Sequence, residues 1–187
     1  MKTLILVRHA KSSWDEPSLV DEARPLNKRG RHDAPEMGRR LLARGVVPET
    51  ILASPAVRAR TTAELIALEI GAEDAVVIDH RLYATSASGM LAVIREQDDA
   101  IDSLMVVGHD PEMSDLAHRF SPLSPPMVTC AVLELQFDRD SWTGIEPSGL
   151  SSKHFDSPKA GEKAGVGAEA HAGAGAEQAP RPGSRAD

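Results

Sequence analysis

A chain of 187 residues, 41% hydrophobic and 26% charged, has the make-up of one soluble globular domain and is too short for two comfortable ones. Its net charge of -7 gives a nucleic-acid role no general electrostatic support, so any local cluster of Arg and His must be explained as a site. The single cysteine, Cys130, excludes an internal disulfide framework, and no stretch approaches the ~20 apolar residues of a membrane span; the expectation is a cytoplasmic protein.

Residues 3–7 form a continuous apolar run, suited to a strand buried on both faces. Arg8 and His9 end it well short of the roughly 7–15 residues of a signal-peptide core. Ala34, Met37, Leu41 and Leu42 share one helical face with Gly45 as the C′ residue, and Pro35 within that face predicts a kink or a restart. Residues 50–53 make the next strand. Ser54-Pro55 then reads as an N-cap followed by proline at N1, opening a helix that runs to about residue 70. Residues 76–78 are a third short strand, and residues 88–97 a helix with Met90, Leu91 and Ile94 on one face. Residues 104–107 are a fourth strand, and Asp110-Pro111 repeats the cap-plus-proline signal ahead of a helix to about residue 120. Residues 128–137 read as a longer strand, paired with residues 142–146, with Cys130 as a small buried core residue.

From Ser151 onward the chain is Ser, Lys, Gly, Ala, Glu and Pro, with Phe155 and Val166 the only bulky apolar residues. Such a segment buries too little surface to offset its ordering entropy. The expected division is therefore a folded domain over residues 1–150 and a disordered Ala/Gly/Pro-rich tail over residues 151–187. Strands alternating with helices argue for an α/β domain with a mostly parallel sheet. There is no G-x-x-x-x-G-K-[ST] or G-x-G-x-x-G phosphate loop.

In open α/β sheets ligands bind beyond the carboxyl ends of the strands. Three strand ends here carry unusual residues: Arg8-His9, Ser54-Pro55 with Arg58 one turn later, and Gly108-His109-Asp110. If these strands are parallel neighbours, Arg8, His9, Arg58 and His109 converge on one crevice, into which helix starts also point their N–H groups. Guanidinium forks match phosphate oxygens, and a neutral imidazole is a competent nucleophile. Arg60 and the basic stretch of Lys28, Arg29, Arg31, Arg39 and Arg40 read instead as solvated helix faces. His32, His80, His118, His154 and His171 lack metal-ligand spacing, and no metal or organic cofactor is indicated.

The local sequences resemble a known family. Leu6-Val7-Arg8-His9-Ala10-Lys11-Ser12 is similar to the Arg-His-Gly signature of the histidine phosphatase superfamily, which includes the cofactor-dependent phosphoglycerate mutases. Ser54-Pro55-Ala56-Val57-Arg58-Ala59-Arg60-Thr61-Thr62-Ala63 resembles its second motif, and Val107-Gly108-His109-Asp110-Pro111 its third. Among its branches, the short chain, Arg24-Pro25-Leu26 before Gly30, and Pro125-Pro126-Met127 look most like the SixA-type phosphohistidine phosphatases. The resemblance covers residues 1 to about 147.

It implies a three-layer α/β/α sandwich, phosphoglycerate mutase-like, in which His9 attacks phosphorus, becomes phosphohistidine and is hydrolysed by water. It also implies that Arg8, Arg58 and His109 hold the phosphoryl oxygens, and Ser12 is a further candidate for substrate binding. Three departures stand out. Ala10 replaces a usual glycine, which predicts a slightly restricted backbone approach to phosphate. Asp15 lies where the mutases carry a phosphate-contacting asparagine. Arg81-Leu82-Tyr83-Ala84-Thr85-Ser86 offers no match to the mutases' catalytic glutamate. Asp15 is the first candidate for the catalytic acid and Asp21 the second. A weakened acid suits phosphohistidine, whose leaving group needs little protonation, better than a sugar phosphate. The expected partner is a phosphorylated protein or a small phosphorylated substrate, with no nucleic acid and no membrane. A small-molecule phosphomonoesterase and a weakly active domain that binds phosphorylated partners stay open as alternatives.

Overall fold

The first apolar run becomes strand β1 (Lys2–Arg8) in a computed structural model that describes residues 1–160. It is followed by helix α1 (Lys28–Ala43), strand β2 (Thr50–Ala53), helix α2 (Val57–Ile70) and strand β3 (Val76–Ile78). Helix α3 (Ala87–Arg95), strand β4 (Ser103–Gly108), helix α4 (Glu112–Phe120), and strands β5 (Val132–Phe137) and β6 (Leu150–Asp156) complete the order. The strands form one sheet in the order β3-β2-β4-β1-β5-β6. The first four of these run parallel, and β5 and β6 are antiparallel to their neighbours.

Period-two alternation divides the core into two layers. Leu4, Leu6, Leu52, Leu104 and Val106 face α3 and α4, meeting Met90, Ile94, Leu116 and Phe120. Ile5, Val7, Ile51, Ala53, Met105 and Val107 face α1 and α2, meeting Met37, Leu41, Ala63 and Ile66. Covered on both sides, β1 and β4 are apolar almost throughout, which is why neither reads as an alternating strand. Each fully buried Leu or Ile contributes roughly 1.5–3 kcal/mol. At the amino-terminal end of the sheet, the buried ammonium of Lys2 donates to the carbonyls of Asp99 and Ile101 and to Asp102. The indole of Trp142 closes the same end, its Nε1 donating to the Ile101 carbonyl. The opposite end of the sheet is left for chemistry.

Several expectations need correction. Helix α1 runs through Pro35 without a break, because its buried face is held against α2 strongly enough to absorb the one missing backbone bond. Its end is as expected, with Gly45 at φ +71°. Helix α2 begins at Val57 with Ala56 as its flanking residue, so Ser54 is not its cap. Strand β5 starts at Val132, four residues late. The chain first bends at Cys130, held at φ +61° with its N–H donating to the carbonyls of Arg8 and His9. Residues 142–146 do not pair with β5: Trp142–Gly144 is a short helical turn, and β6 takes that edge.

The domain boundary therefore lies beyond residue 150. Strand β6 is mostly polar and exposed, as an edge strand can be, but Phe155 packs on the core and Asp156 pairs with Arg40. Residues 161–187 of the expected tail lie outside the described residues. No helix among the described residues is long and apolar enough to cross a membrane.

Candidate active site

The sheet order places β2, β4 and β1 side by side, so their carboxyl ends open at one level. Arg8 pairs with Gly108 in register, and Ala53 with Val107. Each chain then turns out of the sheet with its next residue tied to its neighbour. The His9 N–H donates to the Gly108 carbonyl at 2.9 Å, and the Ser54 N–H to the Val107 carbonyl at 3.1 Å. This sets the rings of His9 and His109 with centroids 5.2 Å apart, and the first turn of α2 brings Arg58 against His9.

His9 is held in one tautomer. Its Nδ1 lies 2.8 Å from the Ala10 carbonyl oxygen, which can only accept, so Nδ1 carries the proton and Nε2 the lone pair. That lone pair receives the Nε–H of Arg58 at 3.3 Å. Burial, then the neighbouring His109 and the charges of Arg58 and Arg8, lowers the His9 pKa to about 3, against the pull of the Ala10 contact. The ring is neutral at physiological pH. His109 is also depressed, to about 4, by burial first and then Arg58. Its Nε2 lies 2.8 Å from the hydroxyl of Ser54, and its Nδ1 has no partner among the described residues. Ser54, read from sequence as a helix cap, thus orients an imidazole.

Arg58 is buried, and each of its three nitrogens makes one hydrogen bond. Besides the His9 contact, its Nη1 donates to the Asp21 carbonyl at 2.6 Å and its Nη2 to Asp21 Oδ2 at 2.8 Å. Asp21 also accepts from Arg24 at 2.9 Å and from the hydroxyl of Tyr83 at 3.1 Å. Desolvation acts to raise the Asp21 pKa, but the hydrogen bonds from Arg58, Arg24 and Tyr83 outweigh it and hold the carboxyl at about 2. Arg8 is partly exposed, its Nη1 donating to the Met127 carbonyl and lying 3.5 Å from Asp110, while its buried Nε has no partner among the described residues.

The structure thus brings together His9, Arg58, His109 and Asp21, with Arg8 close enough to act on both rings electrostatically. Asp15, the first candidate acid, does not join them. It is exposed, its carboxylate bonds the hydroxyl of Ser13, and it lines a groove with Asn27, Lys28 and His32 of α1 and its approach. Ser12 is committed to that network's outer part, its hydroxyl accepting from Arg24 at 2.6 Å. Ala10 places its methyl in the core facing α1 and α2, and its N–H goes to Thr62, so it offers no donor to a ligand. Tyr83, Ser54 and Arg24 are members of this network that sequence reasoning passed over. Among the described residues no group of three or more His, Cys, Asp or Glu side chains is arranged to hold a metal ion.

Chemically, the cluster is a neutral nucleophilic nitrogen beside two guanidiniums and a second imidazole, at the start of a helix. It can accept an electrophilic centre surrounded by anionic oxygens. Comparison with known proteins agrees in kind. The model of the histidine phosphatase superfamily (branch 1) matches residues 4–88. An uncharacterized protein of Mycobacterium tuberculosis is 34% identical over 166 residues, spanning 82% of this chain and 100% of its own. An uncharacterized chloroplastic protein of Arabidopsis thaliana is 33% identical over 150 residues, spanning 75% of this chain and 69% of its own. Among solved structures, one assigned as the phosphohistidine phosphatase SixA of Agrobacterium tumefaciens superposes with a TM-score of 0.65 at 28% identity, covering 84% of this chain and 98% of that one. The protein histidine phosphatase SixA complexed with tungstate shares the fold, with a TM-score of 0.68 at 21% identity over 84% of this chain and 98% of that one.

Proposed function

This chain belongs to the histidine phosphatase superfamily, and on that premise we propose that it hydrolyses protein phosphohistidine through a covalent intermediate on His9. The observation that carries the reading is the fixed tautomer of His9, whose Nε2 lone pair faces Arg58 while its Nδ1–H is held by Ala10. Nε2 attacks phosphorus opposite the leaving group, and the P–N or P–O bond of the substrate breaks with its electron pair going to the leaving atom. Arg8, Arg58 and His109 take the three phosphoryl oxygens, with the Arg58 Nε–H passing from the lone pair of His9 to oxygen as that pair becomes a bond. Water then attacks the phosphohistidine, releasing inorganic phosphate and restoring neutral His9.

The choice of phosphohistidine rests on the acid. An alkoxide leaving group needs a proton, and the carboxyl bonded to Arg58, Asp21, is held ionised. A phosphohistidine protonated on its far ring nitrogen departs as neutral imidazole and needs no proton from the enzyme. Two structures that share this fold, one assigned as a phosphohistidine phosphatase and one a protein histidine phosphatase, support such a substrate. The test is a comparison of kcat/KM on a phosphohistidine peptide and on a sugar phosphate, with the His9→Asn variant alongside. The reading expects a preference for the peptide of at least about 10²-fold, the lower range of what acid–base catalysis contributes, and loss of both activities in the variant. A preference for the sugar phosphate would remove the substrate assignment. Turnover untouched in the variant would remove the mechanism.

A further inference from the structure

The carboxylate of Asp21 sits in a place the proposed mechanism does not require. It stands outward of Arg58, from a buried guanidinium to an exposed carboxylate, and it meets the hydroxyl of Tyr83 from the loop before α3. Tyr83 in turn stands edge-on to His109, with centroids 5.6 Å apart. Asp21 and Tyr83 therefore join two separate loops at the rim of the space above His9 and His109. Tyr83 touches His109 and Asp21 touches the Arg58 that bonds His9, so the pair borders the place where a phosphoryl on His9 would carry its substituent. A phosphate-binding cluster gains nothing for phosphate itself from a fixed negative charge there. That charge cancels one of the two guanidiniums it touches, Arg24 and Arg58.

We propose that Asp21 is the specificity-determining residue of the site, excluding phosphomonoesters whose leaving group carries an anion and favouring phosphoramidates whose leaving group carries a protonated nitrogen. The proposal rests on the phosphatase reading and deepens it. A phosphoimidazolium brings its positive N–H toward the rim, where the carboxylate attracts it. A phosphorylated hydroxy acid brings a carboxylate to the same place and is repelled. One unit charge at about 10 Å, at an effective dielectric of ~20, changes such a preference by about tenfold. The solvent-facing side of the carboxyl leaves room for the partner charge, since Asp21 is 52% exposed.

The experiment measures dissociation constants for inorganic phosphate and 3-phosphoglycerate on the full chain, for the wild type, Asp21→Asn and Tyr83→Phe. It also measures kcat/KM for phosphoimidazole and 3-phosphoglycerate on the same proteins. In Asp21→Asn, 3-phosphoglycerate is expected to gain about tenfold in affinity relative to inorganic phosphate, and phosphoimidazole to lose about a hundredfold in kcat/KM relative to 3-phosphoglycerate, about tenfold from each charge. Tyr83→Phe keeps the charge and loses one hydrogen bond, so both ratios should stay at the wild-type values. Equal changes for both ligands in Asp21→Asn would overturn the proposal and reduce Asp21 to a support for Arg58, as would ratios that move equally in Tyr83→Phe. A wild type that binds both ligands and hydrolyses neither substrate would undo the phosphatase reading. The ratio of affinities would still decide the role of Asp21.

Discussion

Two imidazoles kept neutral inside a folded protein make its stability depend on pH in a defined window. The unfolded chain titrates its histidines near 6.5, whereas folded His9 stays neutral until about 3 and His109 until about 4. Below pH 6.5 the unfolded state binds more protons than the native one, so stability falls with pH, and continues to fall until the folded values are reached. From pH 7 to pH 5, a histidine that cannot charge in the native state forfeits about 2 kcal/mol. His9 is buried and should forfeit nearly all of it; His109, less enclosed, forfeits a smaller part. The carboxylates whose pKa is lowered, Asp21, Glu36, Asp79 and Asp102, lose their contributions only at lower pH and do not confuse the window. His9→Asn keeps a donor for the Ala10 carbonyl and removes the titrating ring. Urea unfolding in phosphate-free buffer should show the wild type losing about 2 kcal/mol more than the variant between pH 7 and 5. At a slope of ~2 kcal/mol per molar, that is about 1 M in midpoint. Parallel pH profiles for the two proteins would refute the argument that His9 is held neutral by its surroundings.

Other residues give sharper local tests. A Cβ on Gly30 would lie 2.2 Å from the Lys11 carbonyl oxygen, so Gly30→Ala must displace the loop that follows His9. It should lower stability by about 1–3 kcal/mol in a denaturant melt and reduce activity as well. Arg58→Lys loses the Nε–H on His9 and the fork on Asp21, and kcat/KM should fall by about 10–100-fold, the worth of a charged hydrogen bond. An unchanged value would take Arg58 out of the reaction. A chain ended after residue 150 removes nearly all of β6, strips Phe155 from the core and exposes the β5 edge. It should melt well below the full chain or aggregate on expression, and an unaltered melting curve would mean that β6 is dispensable.

How far the fold and the site could be read from sequence depends on the range of the interaction involved. β1, β2, β3 and β4 are legible because their apolar runs are local, and the three motif segments because each follows a strand directly. The parallel order β2-β4-β1 then makes His9, Arg58 and His109 neighbours with no further information. Ser54 is misread because serine before proline is a genuine cap signal, and its real partner, His109, is 55 residues away. Asp15 and Asp21 occupy the same loop and differ little in local chemistry. What separates them is Arg24, which reaches back three residues to Asp21 and ties that stretch to the site; the Asp21–Arg24 spacing just before Pro25 was the available signal. Tyr83 carries no pattern of its own. β6 is hidden by being an edge strand, where a single packed residue, Phe155, suffices and polar side chains face water. Cys130 reads as core, as it is, but its left-handed backbone is set by the carbonyls of Arg8 and His9 that its N–H must reach.

The claim on which the mechanism turns is that phosphorus becomes bonded to Nε2 of His9. Brief exposure of the full chain to radiolabelled phosphoimidazole, quenched in base to preserve phosphoramidates and followed by peptide mapping, addresses it directly. The expected result is label on His9 alone, absent from His9→Asn and lost on mild acid treatment. Label on another residue, or steady turnover by a protein whose His9 never carries phosphate, would contradict it.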